Sequence, residues 1–570
     1  MINLRRMLFV GVLVLCLTVV AACGSEEGAG AEAEGEHAAP GSDEAGSEEA
    51  GLVKEDQVLN MSLGAEPDSL DVAKTSDMYS NSVLLQTMET LTRLEVDEDG
   101  ETVVVPGAAT EWEVSEDGME WTFHLREAKW SDGEPLTAMD YEYGVKRILN
   151  PETASPISSV LHEVKNAQKI AQGEMEISEA GIEALDDKTL VITLEYPVPY
   201  FLSLTNGRGF IPQREDIVEE HGSSYGTEAD KLVFSGPFVV EEWIHNSSIT
   251  LSKNENYWDA DTVMLEEVNM RIINEEAALM GELESGNIDI TSVTSPEWVE
   301  RLDAKGGFEK LTGDLPRTAY VFMNHEVELF SNDKVRKAFS LALDREEISR
   351  DINSGMTKPA YGWVPHPITV EDENFREYAG DLVKELEARS PEPKDLFLEG
   401  LEELGIDKDP EDISVEIMLP GPPGRELGEY FQSVFSEALG INIVLDPNEW
   451  PVFQERNRQL DYEVGFKSYG GNAYNDPSSF LNLWLTDNDI VPIGWSNEEY
   501  DRLVQEASLE LDEEKRMEMY KKAEEILLIE EAAMIPYSYL VENTYVQEYV
   551  KGYMQPDFGS AVLKNIYIVK

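Results

Sequence analysis

The sequence predicts an α/β protein with more than one lobe, and three observations carry that prediction. The chain has 570 residues, 42% of them apolar, which is enough for two or three cores. Stretches of strand-like alternation or β-branched runs recur along its length. Stretches with helical spacing lie between them, so strands and helices are mixed and not segregated. No internal repeat is present.

The elements follow in order. "MINLRRMLFVGVLVLCLTVVAAC" sets Arg5 and Arg6 before an apolar run, Met7 to Val20, then small residues before Cys23. That is the layout of an export signal and too short for a membrane span. "VAAC" followed by Gly24 resembles a bacterial lipobox, so residues 1–22 read as a lipoprotein signal peptide and Cys23 as the lipidated first mature residue. Cleavage there also removes Cys16, leaving no disulfide. From Gly24 to about Gly51 the chain is mainly Gly, Ala, Ser and Glu, so residues 23–56 form an acidic flexible tether.

Strands are predicted at "QVLNMSLG", "EWTFHLRE", "TLVITLEY", "SSITLSKN", "VNMRIIN" and "YEVGFKSY". Helices are predicted at "AMDYEYGVKRIL", "DKVRKAFSLALDREEISRDI" and "EEYDRLVQEASLELDEEKRMEMYKKAEEILLI". Thr137, Asn332, Asp344 and Asp476 stand where helix caps belong, and Gly133 supplies the positive φ of a turn. The acidic, Pro-bearing segment "ARSPEPKDLFLEGLEELGIDKDPED" is expected on the surface of the later lobe. "GPPGRELG" reads as a Pro-shaped turn before a helix. In "KSYGGNAYNDPSSFLN", Gly470 and Gly471 interrupt a strand end, where missing Cβ atoms let another backbone or a ligand come close.

Charge and motifs exclude several functions. The formal net charge is −70, from 44 Lys+Arg against 114 Asp+Glu. Phosphate binding needs clustered cations, so nucleic acid is not a partner. The seven histidines form no H-E-x-x-H, and neither G-x-S-x-G nor a Walker A loop occurs. No His/Cys/Asp cluster has metal-ligand spacing. The expectation is a binding protein, not an enzyme, with no cofactor.

Several stretches carry a resemblance: "AEPDSLD" (Ala65–Asp71), "WTFHLREAKWSDGEPLTAMDYEYGVKRILNPETASP" (Trp121 to Pro156), "LDDKTLVITLEYPVPYFLSL", "SGPFVVEEWIHNSSITLSKNENYW", "AYVFMNHEVELFSNDKVRKAFSLALDREEI" and "YNDPSSFLN". From about Gln57 to the final "NIYIVK" the chain resembles the oligopeptide-binding proteins of ABC importers, extracellular solute-binding protein family 5. The resemblance implies a type II periplasmic-binding-protein fold, two lobes plus an inserted extra domain. Lobe I would comprise 57–80, 199–314 and 541–570, the inserted domain 81–198, and lobe II 315–540. It implies a monomer that binds an oligopeptide ligand between the lobes and passes it to ABC transporter permease subunits. The protein would sit on the outer face of the bacterial cytoplasmic membrane, held by its lipid anchor only.

The resemblance also implies site residues. Ligand backbone would pair with the strand at Tyr469, Gly470 and Gly471, opposite Glu66, Pro67 and Asp68, while Lys467, where many members carry Arg, would receive a peptide carboxylate. Trp450 matches the family's pocket tryptophan, and Arg458 or Arg456 a cleft arginine. Tyr320 and Phe238 are further cleft candidates, with core packing favoured for Phe238. Asn472 and Ala473 follow, and here the chain departs from the pattern. Peptide-binding members carry Asp at the Ala473 position, where it binds the ligand's α-ammonium. An unanswered buried ammonium is costly, so either another carboxylate serves or the ligand is not an ordinary free-amine peptide. An oligosaccharide, opine or metal chelate, or a sensor or holdase role without import, are the alternatives.

Overall fold

The computed structural model describes residues 56–97, 102–371, 373–421, 424–470, 474–486, 488, 490–555 and 561–569. Cys23, the signal peptide, the tether up to residue 55 and the triplet Gly471, Asn472 and Ala473 lie outside them.

Alternating and β-branched runs build one eleven-stranded sheet. Its order is Phe238–Ile244, Ser248–Lys253, Glu267–Ile272, Val58–Leu63, Ile290–Val293, Met534–Gln547, Phe308–Met323, Val464–Gly470, Ser414–Pro420 and Asn442–Asn448, with Thr357–Pro359 added on Met534–Gln547. The two longest strands, Phe308–Met323 and Met534–Gln547, run antiparallel through the middle and belong to both lobes. They pair from Phe308 to Asp314 and again from Thr318 to Phe322, with the register broken between. Leu315, Pro316 and Arg317 fall in that break. Pro316 has no N–H to donate, so a proline inside a strand marks such a discontinuity.

Lobe II is packed on both faces of its half of the sheet. Along the first crossing strand, Tyr320 and Phe322 enter one core with Trp363, Phe480 and Trp484. Ala319, Val321 and Met323 enter the opposite core with Phe339, Val464 and Phe466. This is the two-residue period of a strand covered on both sides. In lobe I, Leu59, Phe238, Leu251 and Val268 share one core with residues of the extra domain such as Phe123, Tyr141 and Ile192.

The extra domain is a four-stranded antiparallel sheet in the order Ala109–Val114, Glu120–Leu125, Thr189–Thr193, Ile182–Asp186. Helix Ala138–Leu149 covers it with Tyr141, Val145, Ile148 and Leu149. Its start is fixed as the sequence predicts, the Asp140 carboxylate accepting from the Thr137 N–H at 2.8 Å. Gly133 has φ +93° in the turn before it. Asn332 likewise accepts from Lys334 and Val335, and Asp344 from Glu347.

Three expectations need revision. The acidic segment from Ala388 is not merely surface: helix Pro393–Leu404 buries Leu396, Phe397 and Leu401. The long helical run from Asp333 stops at Leu341, and the one from Glu498 divides into Glu498–Ala507 and Glu513–Glu525. In each case a cap residue, Asp344 or Asp512, restarts the helix.

Candidate functional site

A cavity of about 1090 Å³ opens beside the register break. Lobe I contributes Ser76 and Met78, the extra domain Leu94, Trp121 and Val160, and the segment after it Tyr200 and Arg208. The break itself supplies Leu315, Pro316 and Arg317, and lobe II supplies Thr369, Tyr474, Asn475, Asp476 and Arg516. A second space of about 640 Å³ adjoins it through Thr102, Thr369 and Asn475 and reaches Asp314, His366 and Glu377.

The lobe II wall is braced by short polar links. The Asn475 side chain accepts from the Thr369 N–H and donates to the Thr369 hydroxyl, both at 2.9 Å. Asp476 accepts from the Ser478 N–H at 2.9 Å, at the start of helix Ser478–Leu481. The same carboxylate forms an ion pair with Arg516 and accepts from the Tyr520 hydroxyl at 3.0 Å. Both charged side chains are 1% exposed. A buried pair costs desolvation at both ends, offset here by mutual attraction and the bonds Asp476 accepts, while Arg516 Nε makes no hydrogen bond among the described residues. Between the walls, the Tyr474 ring lies parallel to that of Tyr200, with centroids 4.3 Å apart and planes 9° apart. Burial pushes both phenols above their ordinary range.

None of the described residues predicted for the site lines this cavity, and Gly470 reaches the cavity's edge only through its partner in the sheet. Its partner in the sheet is Arg317, and its φ of +155° suits glycine. A Cβ there would lie 2.1 Å from the Pro316 carbonyl oxygen and 2.5 Å from Arg317 Cα. The backbone that requires this glycine is the protein's own crossing strand. Gly471, Asn472 and Ala473 span the gap from Gly470 to Tyr474 and lie outside the described residues.

The other predicted residues are dispersed. Lys467 donates to Asn457 Oδ1 at 2.9 Å and sits 5.5 Å from the Phe322 ring centre. Burial without a carboxylate partner lowers its ammonium to about 8. Tyr469 packs on Trp363 and Phe480. Trp450 opens helix Trp450–Arg458, is 49% exposed and stacks on Phe453 at 5.4 Å. Arg458 pairs with Glu455 on its own helix, while Arg456 is held by Asp446, Glu416 and Asp461.

Two candidates lie in cores, which corrects the cleft reading of Tyr320 and agrees with the packing favoured for Phe238. Tyr320 is fully buried among Phe322, Trp363 and Trp484, because its position on the crossing strand points into the lobe II core. Phe238 is fully buried in the lobe I core, where packing was favoured for it. Glu66 is turned to lobe I. It accepts from Trp243 Nε1 at 2.9 Å and the Asn246 N–H at 2.8 Å, and it pairs with His245. That bond raises the His245 imidazole above its ordinary range. Pro67 is buried and Asp68 exposed beside it.

Sequence reasoning missed Tyr200, Arg208, Arg317 and Arg516 as cavity residues. A proline within a strand-like run, "DLPRTAYVFM", marks the break beside Arg317. No local signal marks Tyr200, Arg208 or Arg516, which reach the cavity only through tertiary packing. Among the described residues no helix is long and apolar enough to cross a membrane, and no three His, Cys, Asp or Glu side chains are grouped to hold a metal ion.

Comparison with known proteins gives a consistent picture. Residues 103–491 match the model for bacterial extracellular solute-binding proteins, family 5 middle. The chain is 33% identical over 521 residues to the dipeptide-binding protein DppE of Bacillus subtilis, covering 91% of this chain and 93% of that one. It is 30% identical to the oligopeptide-binding protein OppA of the same species, over 99% of each chain. Among solved structures it resembles the murein tripeptide-binding protein MppA in its unliganded open form (TM-score 0.77, 28% identity, 91% of this chain and 98% of that one). It also resembles Listeria monocytogenes OppA bound to peptide (TM-score 0.67, 29% identity, 91% and 100%).

Proposed function

Because this chain belongs to the bacterial extracellular solute-binding proteins of family 5, we propose that it captures oligopeptides between its lobes and delivers them to the permease of an ABC importer. The observation that carries this reading is the cavity itself. It lies beside the break between Asp314 and Thr318, where the two crossing strands lose register, so bending there changes the distance between its walls. Closure on a ligand is then a shift between arrangements, driven by contacts that only the closed form makes.

In this reading lobe I comprises 57–80, 199–314 and 541–570, the inserted domain 81–198 and lobe II 315–540. The ligands for which the relatives are named support peptide as the ligand class. So does the edge of strand Val464–Gly470. Its pairing with Ser414–Pro420 stops at Met418 and Gly465, which leaves Phe466 to Gly470 available for strand addition by an extended peptide. Lys467, Tyr469 and Gly470, with Gly471, Asn472 and Ala473 beyond, would form that edge, and Trp450 a side-chain pocket near it. The lipid on Cys23 would hold the protein at the outer membrane face.

Native mass spectrometry of protein from its host tests the ligand. A set of co-purified peptides of varied sequence is expected; a single sugar or chelate would replace the peptide reading. Cys23→Ser is expected to release the protein or leave an uncleaved precursor, and processing and retention like wild type would remove the anchor from the proposal.

A further inference from the structure

In so acidic a chain, cations rarely go unanswered. Every described arginine except Arg126, Arg208 and Arg317 has a carboxylate oxygen within ion-pair distance. Arg126 is accounted for otherwise, its guanidinium lying 3.4 Å from the ring centre of Trp258. The remaining two, Arg208 and Arg317, both line the interlobe cavity.

Their settings differ usefully. Arg208 is partly buried in the segment that follows the extra domain, and its burial is only partly offset by the pull of Asp77. The Asp77 oxygens are taken by Thr75 and Ser80. Arg317 is exposed in the register break between the lobes. Three acids line the same cavity and each is engaged: Asp476 pairs with Arg516, Glu371 lies in the field of that same guanidinium, and Glu542 accepts from Gln555. A guanidinium presents a planar fork of donors that matches a carboxylate. With a net charge of −70, the molecule's field repels anions, so an anionic group settles in the cavity only where cations locally reverse it.

We infer that Arg208 and Arg317 are the receptor for a carboxylate of the ligand, gripping it from two sides of the cavity. The inference rests on the peptide reading above and adds the group recognised. A peptide offers this chemistry from its C-terminus or from an Asp or Glu side chain.

The test is intrinsic-fluorescence titration with a pool of random tetrapeptides made in three forms. One has a free C-terminal acid, one is a C-terminal amide without acidic residues, and one is a C-terminal amide containing one Glu. Wild type is expected to bind a carboxylate-bearing form about tenfold more tightly than the neutral amide. Preference for the free acid assigns the C-terminus, and equal gain from the Glu amide assigns a side chain. Arg317→Gln and Arg208→Gln should each reduce that preference, and the double variant should abolish it while still binding the amide. Arg317 is exposed and has no carboxylate partner among the described residues, so its single variant keeps the test open if Arg208→Gln does not fold. Equal wild-type binding of all three pools, or equal weakening of all three by the variants, would overturn the inference and leave the peptide reading intact. If no pool binds, the peptide reading falls and this inference with it.

Discussion

Arg516 and Arg317 border the same cavity in opposite surroundings. Arg516 is 1% exposed and locked to Asp476, whose carboxylate also holds Tyr520 and the start of a helix. Arg317 is exposed, sits where the sheet loses register, and has no carboxylate within reach among the described residues. One residue type thus does two jobs around one cavity. Where the fold answers the charge, arginine is a brace; where it leaves the charge open, the answer must come from outside.

The comparison breaks most sharply at the brace. Asp476→Ala strands a buried guanidinium and removes an acceptor at a helix start, and should cost about 3–5 kcal/mol, read as a lower urea midpoint. An unchanged midpoint would mean that the closed arginine is no more structural than the open one. Gly470→Ala comes next, since its Cβ would meet the Pro316 carbonyl at 2.1 Å. Strain of about 1–3 kcal/mol is expected, together with weaker ligand binding as Arg317 is displaced. Wild-type stability with unaltered affinity would separate the glycine from the arginine beside it.

Lys467 supplies an intermediate case, a half-buried cation answered only by an amide. Its ammonium is lowered to about 8 by burial, against about 10.4 in an unfolded chain. Between those values the unfolded chain holds a proton that the folded chain has released, so stability should rise with pH across the window. Denaturant titrations of wild type and Lys467→Met should diverge there, and parallel curves would show that the lysine is solvated. The smallest effect belongs to Arg317→Gln, whose stability should stay within about 0.5 kcal/mol of wild type. A larger loss would show a structural partner and remove the contrast.

Much of the scaffold was legible because its signals are local. Thr137, Asn332 and Asp344 are N-caps in the structure as in the sequence, Asp476 accepts from the Ser478 N–H one residue before the cap of its helix, and helix Ala138–Leu149 begins and ends where its pattern does. Strands Val58–Leu63 and Glu120–Leu125 lie within the runs that predicted them. The cavity was much less legible. Asp476 reads as a cap from its neighbours, but its bond to Arg516 joins residues 40 positions apart, and no local pattern encodes it. Gly470 drew attention for a missing side chain, and the reason proved to be the facing strand, a partner some 150 residues away. The resemblance placed Tyr320 in the cleft, whereas the alternation of its own strand turns it to the core.

The Gln57 side chain donates to the Ile568 carbonyl at 3.0 Å and accepts from its N–H at 2.9 Å. Strand Ile290–Val293 of the same lobe finds its outer partner only in Met534–Gln547. A ribosome makes these segments at opposite ends of its task. Throughout translation of the intervening residues, lobe I therefore carries an open sheet edge and lacks its links from Gln57 to Ile568, whereas the sheet strands particular to lobe II are complete in the meantime. The first lobe to be started is the last to be finished.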